Sequence, residues 1–286
     1  MAHLEDVGTG RPIQSGITPE RSLTATGKRI SRHIGFAAAI FWMAALVAWE
    51  LAARADMISP LFFPAPSAIL ATFWRMLIRG ELVVATGYTL ARLSAGLLLG
   101  GALGLVLGLL MGWSSAARAL AEPVVAAVHP LPKLALLPLV LILFGIGEQS
   151  KVVLIALTAF FPLLINTTAG VRQIDAHTWE VARHYGARGW MLLRRVVWPA
   201  SLPLVLTGAQ LSLNAALVVT VAVELLSAQQ GLGATIWLAW QTLRTEEMYA
   251  TLIVIALVGM LSNLVLVRLE HRLIPRKRKD ESDGRA

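Results

Sequence analysis

The chain has 286 residues, of which 56% are hydrophobic and only 15% charged, with no cysteine and a net charge of +8. A mean hydropathy of +0.67 lies outside the usual range of soluble globular domains and points to a membrane protein. Disulfides, zinc-thiolate sites, iron–sulfur clusters and cysteine nucleophiles are excluded. The basic residues sit at the two ends and in one internal loop, which fits membrane topology rather than nucleic-acid binding, and six scattered histidines suggest no metal centre.

Residues 1–30 are polar and rich in Gly, Ser, Thr and Pro, so they are expected to form a flexible tail that cannot bury enough surface to order itself. After the basic group Lys28, Arg29 and Arg32, residues 34–53 form an apolar run long enough to cross about 30 Å of hydrocarbon at about 1.5 Å per residue. A cleaved signal peptide is the alternative, but the run is longer than a usual signal core and more spans follow. Residues 56–87 come next, where Pro60, Pro64 and Pro66 lead into an amphipathic piece, residues 67–77, that is too polar to span and is expected on the outer surface. Further spans are predicted at 92–113, 119–145, 151–170, 202–226 and 248–267. This gives an all-α membrane protein with six transmembrane helices over residues 31–274 and a basic tail at 275–286. With the N-terminus inside, about 18 of the 25 basic residues fall on the cytoplasmic side, as the positive-inside rule requires. Both termini are therefore expected in the cytoplasm, with the protein in a bacterial inner membrane.

Three constellations stand out within the spans. Gly96, Gly100, Gly104, Gly108 and Gly112 recur every four residues along one face of the second span, a surface that lets a neighbouring helix approach closely. Pro123, Pro130, Pro132 and Pro138 break the third span, with His129 and Lys133 beside the middle pair. Irregular backbone at membrane depth survives only in a protein interior or along an aqueous cavity. The break is thus a candidate pathway wall and Lys133 a candidate pathway cation, against the alternatives of snorkelling or pairing with Glu122. In the fifth span Thr207, Gln210, Asn214 and Glu224 share one helical face. They either line the pathway or bond to a partner helix.

The most specific signal is the loop at residues 175–199, opened by Asp175 as an expected helix N-cap. It reads Glu180-Val181-Ala182, then three residues to Gly186, then nine to Val196-Val197-Trp198-Pro199. Gly186 permits a turn between two short helices, while Trp190, Leu193 and Val197 make an apolar stripe and Arg194 and Arg195 reach outward. This pattern resembles the EAA motif of ABC importer permeases, with Val181, Val196 and Trp198 as apolar departures from it. The resemblance spans roughly residues 64–273 and is nearest to the nitrate, sulfonate and taurine branch. Its supporting segments include Pro130-Leu131-Pro132-Lys133, Phe144-Gly145-Ile146-Gly147, Phe161-Pro162 and Gly231-Leu232-Gly233.

The resemblance implies a type I importer permease fold in which Glu180, Ala182, Gly186, Val196 and Pro199 belong to cytoplasmic coupling helices. It also implies a second permease copy, two ATPase subunits and an extracytoplasmic solute-binding protein. No GxxxxGK[ST] loop occurs, so the chain is read as a transport subunit with no cofactor of its own and ATP held by the partner. A secondary transporter would show inverted repeats and acidic ion sites, and a membrane enzyme a cluster of His, Asp or Glu within the spans. Neither pattern was found. Lys133 and the resemblance favour a small anion as solute, with Gln210, Asn214 and Glu224 beside it on the path.

Overall fold

The computed structural model describes the backbone of residues 21–227 and 229–273, and the side chains from residue 37 onward except residue 39 and residue 228. Residues 1–20 and 274–286 of the expected tails lie outside the described residues. The chain separates into two units, residues 1–57 and 58–286. The first contains α1 (Arg21–Arg54), which covers the first expected span and begins ahead of it. Residues 21–30, expected as tail, are thus helical, since Arg, Leu, Ala and Lys among them are good helix formers.

The second unit opens with α2 (Pro66–Ile78), whose proline occupies the first turn, where its missing N–H is not needed. Ile69, Thr72 and Met76 are its buried face, with Met76 packing on Leu82 and Ala250. After Gly80, in the left-handed region at φ 76°, α3 (Glu81–Trp113) runs for 33 residues. It starts well before residue 92, where the apolar run begins. Its first turns bury Leu82, Ala85 and Thr89, so those residues are interior helix and not outer loop.

The third expected span is two helices at 90°. α4 (Ser115–Val128) is capped by Ser114, whose hydroxyl accepts from the Ala117 amide at 3.2 Å. After a 3-10 turn at Lys133–Leu136 comes α5 (Leu137–Phe144). Of the four prolines, Pro123 is carried inside α4, and the chain turns at the Pro130-Leu131-Pro132 run, where two of three residues have no N–H.

α6 (Glu148–Arg172), α7 (Ala176–His184) and α8 (Gly189–Leu192) follow. A π-helical turn at Leu193–Val197 joins α8 to α9 (Trp198–Ser227). α10 (Leu232–Gln241) and α11 (Thr245–Leu273) complete the unit. Among the described residues four stretches, α3, α6, α8 through α9, and α11, are long and apolar enough to cross a membrane, and the bent pair makes a fifth. The expected six spans, the third of them broken, are accordingly amended to these five, and α1 covers the first expected span.

The centre is a trio of α3, α6 and α9. Leu93, Leu154, Ile155, Ala159, Leu213, Ala216 and Val223 share its core. The glycine face of α3 is what allows this. A Cβ added at Gly100 would lie 1.9 Å from the Ala156 carbonyl oxygen, and one at Gly104 2.5 Å from that of Phe160. At the α6–α9 contact a Cβ on Gly208 would come within 2.8 Å of the Asn166 Cβ. Small residues thus supply the close van der Waals contact that lipid-embedded helices need in place of a hydrophobic driving force. Polar bonds pin the trio as well: the Thr168 hydroxyl donates to the Leu164 carbonyl within α6 and lies 3.2 Å from the Gly108 carbonyl of α3, and Ser212 donates to the Ala159 carbonyl at 2.7 Å.

Candidate functional site

Two regions carry chemistry, at opposite ends of the trio. The first is a buried charge cluster that local reading of the sequence did not assemble. Arg92, on the fourth turn of α3, is 4% exposed and Glu224, near the end of α9, is 0% exposed. The Arg92 Nη1 donates to Glu224 Oε1 and to the Gln230 carbonyl, each at 2.6 Å. Its Nε and Nη2 donate to the two carboxylate oxygens of Glu148 at 2.6 and 2.9 Å. This is the bidentate fork geometry for which guanidinium is suited. Lys151, one turn into α6, adds a bond from Nζ to Glu148 Oε1 at 2.8 Å.

The remaining oxygen of Glu224 is held by the Thr89 hydroxyl at 2.9 Å and the Gly233 amide at 3.0 Å. The Leu232 amide donates to Thr89 at 2.9 Å. This gives a physical reason for Gly231-Leu232-Gly233. A Cβ at Gly231 would sit 2.5 Å from the Glu224 carboxyl carbon, and one at Gly233 2.4 Å from the Val221 carbonyl. Only glycine lets this backbone reach the buried carboxylate, and Gly231 also adopts φ 116°. Beside the cluster a cavity of about 320 Å³ is lined by Arg92, Gly147, Glu148, Lys151, Gln229 and Gln230.

The second region is residues 175–199. Asp175 takes the N-cap position of α7, but its side chain makes no capping bond, which amends the expected cap. α7 ends at His184, and Gly186 turns the chain at φ 77° with no other group within 4 Å of where a side chain would start. Glu180 is exposed and Ala182 half-buried. Trp179 packs edge-on against Trp113 at the end of α3, with ring centroids 6.2 Å apart.

Two separate short helices were expected here. The second is instead the beginning of α9, since α8, the π turn and α9 form one stretch, Gly189–Ser227. The π turn immediately precedes Trp198 and Pro199. Proline cannot donate to the carbonyl one turn back and crowds it, and the widened turn accommodates that. Val196 is half-buried, Val197 fully buried and Pro199 exposed, while Trp190 is 72% exposed. The expected apolar stripe is therefore divided, with Val197 facing in and Trp190 facing out.

The residues expected along a pathway are dispersed. Lys133 opens the 3-10 turn, is half-buried, donates to the His129 carbonyl at the end of α4, and lies 4.8 Å from the Phe161 ring centroid. Its partner is thus a helix C-terminus, where a cation is favoured, and not Glu122. Gln210 donates to Asn263 Oδ1 of α11 at 2.8 Å, Asn214 is exposed, and Glu224 belongs to the Arg92 cluster. No group of three or more His, Asp or Glu suited to a metal occurs among the described residues.

A chain with spanning helices, a broken span and a short exposed helix between two spans is a multi-pass membrane subunit. It belongs to the family described as binding-protein-dependent transport system inner membrane component, which matches residues 100–279. It is 34% identical over 262 residues to the putative aliphatic sulfonates transport permease protein SsuC of Bacillus subtilis, covering 91% of this chain and 95% of that one. It is 34% identical to the taurine transport system permease protein TauC of Escherichia coli, covering 80% and 86%. Identity to the formylaminopyrimidine transport permease protein ThiX of Halalkalibacterium halodurans is 30%, covering 84% and 95%. Among solved structures, an inward-facing MetNI methionine ABC transporter chain superposes with a TM-score of 0.60 at 19% identity, covering 70% of this chain and 96% of that chain. The fold is that of a type I ABC importer permease.

Proposed function

We propose that this permease carries a small organic or inorganic anion of the sulfonate, taurine or nitrate kind, and that residues 175–199 couple it to ATPase subunits. Support for the solute class comes from the sulfonate and taurine permeases at 34% identity, although a relative named for formylaminopyrimidine is close behind. The single observation that carries the coupling reading is the exposed α7, turned at Gly186 and leading without a break into the spanning α9. Glu180, Ala182, Gly186, Val196 and Pro199 are its working residues. A push on this segment reaches the bundle through α9 and the Trp113–Trp179 contact.

In this reading two ATPase subunits hold the ATP, the permease pairs with a second copy of itself, and an extracytoplasmic binding protein delivers the solute. Both termini lie in the cytoplasm. This follows the positive-inside bias and places the Arg92 cluster at the extracytoplasmic end. Lys133, Gln210, Asn214 and Glu224 border the path, Glu224 through its partner Arg92.

The test is uptake of taurine, an alkanesulfonate, nitrate and a neutral pyrimidine by the complete importer in vesicles. Preferred uptake of an anion is expected, with a sharp loss in Lys133→Met, a milder one in Asn214→Leu, and assembly with the ATPase unchanged. Uptake of the pyrimidine alone, or normal anion uptake by the Met variant, would refute the corresponding part.

A further inference from the structure

The Arg92 cluster is asymmetric in a way that an ordinary buried salt bridge is not. Its two cations are almost fully enclosed, with side-chain exposures of 4% for Arg92 and 8% for Lys151, yet the carboxylate that joins them, Glu148, is 59% exposed. Glu224 is fixed by three donors, Arg92, Thr89 and the Gly233 amide, and is fully buried by the surrounding packing. Glu148 is held by the two cations alone. It stands in the first turn of α6, directly after Gly147, where a Cβ would meet nothing within 4 Å. Lys151 has three N–H donors, and among the described residues its one hydrogen-bond acceptor is Glu148.

Charge defines what could replace that carboxylate. With Glu148 in place the four groups sum to zero. With Glu148 turned into solvent, Arg92 and Lys151 against Glu224 leave one unmatched positive charge facing the cavity, which attracts an anion. A sulfonate or carboxylate presents the same pair of oxygens to the guanidinium fork and a further contact to the ammonium.

We propose that Arg92 and Lys151 form a binding site for the anionic group of the transported solute, and that Glu148 occupies this site as a tethered surrogate until the solute displaces it. The proposal rests on the reading that the solute is an anion. Glu148 then acts as a concentration filter. A side chain tethered next to its site competes at an effective concentration in the millimolar range or above, so dilute free anions do not enter.

The test uses the complete importer purified in detergent, with ethanesulfonate as probe and ethyl methyl sulfone as its neutral counterpart. Removing the internal competitor raises apparent affinity by the inverse of the fraction of sites that were open. Glu148→Gln is therefore expected to bind ethanesulfonate at least about tenfold more tightly than the parent, with the sulfone unaffected. Adding Lys151→Met should abolish the gain, and Lys151→Arg should retain it. If the Gln variant does not assemble, Glu148→Asp keeps the charge but withdraws it by one methylene, and should shift affinity in the same direction by less. Parental affinity in both Glu148 variants, or a gain that survives Lys151→Met, would overturn the proposal. The two readings separate cleanly. Ethanesulfonate uptake by the parent importer with unaltered binding in the Glu148 variants sinks the site and leaves the anionic solute standing. A gain in binding by an importer that transports no anion sinks the solute reading and leaves the site.

Discussion

Replacing Gly100 with alanine adds a single methyl group, and in most helices it would help, since alanine favours a helix interior over glycine by about 1 kcal/mol. Here the added Cβ would lie 1.9 Å from the Ala156 carbonyl oxygen and 2.6 and 2.8 Å from the carbonyl carbon and Cα of the same residue. All three are backbone atoms that no rotamer change can move. To restore an ordinary contact, α3 and α6 must separate by roughly 1.5 Å, a gap that also opens the close-packed contacts one turn either side. Sliding offers no relief, because Gly96 meets Ile155 and Gly104 meets the Phe160 carbonyl at similar range. The expected cost is about 3 kcal/mol, the upper end for overpacking, because backbone is what must yield. Gly101→Ala is the matched control. It adds the same methyl to the adjacent residue, where the one neighbour is the flexible Leu163 Cδ2 at 3.4 Å, and should change stability by no more than about 0.5 kcal/mol. Unfolding of the purified protein by SDS in mixed micelles, followed by tryptophan fluorescence, compares the two. Equal midpoints would show that α3 and α6 are not in backbone contact and would remove the reason given for the glycine face.

Gly186→Val should leave the protein inserted, since no atom lies within 4 Å of the new Cβ, but the left-handed φ of 77° costs a β-branched residue about 1–2 kcal/mol. The turn after α7 is then displaced, and the solute transported per ATP hydrolysed should fall, measured in proteoliposomes. An unchanged ratio would remove the segment from coupling. Arg92→Met leaves Glu224 buried without its cation and should destabilise by about 3–5 kcal/mol, whereas Arg92→Met combined with Glu224→Leu should recover most of that. Additive losses in this cycle, read by the same SDS titration, would show that the two residues are not coupled.

The parts of this fold that the sequence made legible are those written in local spacing. The four-residue repeat from Gly96 to Gly112 gave the helix contact, and the Pro130-Leu131-Pro132 run gave the break. The EAA-like spacing placed α7 between two spans, and the family match fits it. What was missed depends on pairs distant in the chain. Arg92 stood at the start of the expected second span and passed for a boundary residue, although the helix begins at Glu81 and carries apolar residues from Leu82 onward. Its partners lie 56 and 132 residues away. One signal was nonetheless available. An acidic residue near the end of the fifth span and a basic one at the start of the second are each expensive in a membrane, and their opposite signs at the same depth made them each other's natural partner. The second coupling helix was misjudged for another reason. The EAA-like motif ends at Pro199 and the fifth span was expected only from residue 202, but a widened turn before Trp198 lets the helix run on through Pro199 and Pro203.

Where the trio is tight, it also restricts how such a protein can move. α3 and α6 meet backbone to backbone at Gly100 and Gly104, α6 and α9 pack closely at Gly208, and packed interfaces of this kind shift between discrete arrangements more readily than they deform. Every charged member of the Arg92 cluster sits on one of these three helices. In the coupling proposed above, a displacement applied at α7 and passed through Trp179 to Trp113 tilts the trio as one body and leaves the Arg92–Glu224 pair intact. The elements joined to that body by irregular backbone include α4, through the bend at residues 129–132, and α10, through the Gly231 turn. Within the cluster itself one group can move without disturbing the trio, the half-exposed carboxylate of Glu148. In the site proposed above, opening of the cluster to an anion is thus a matter of one side-chain rotation at Glu148.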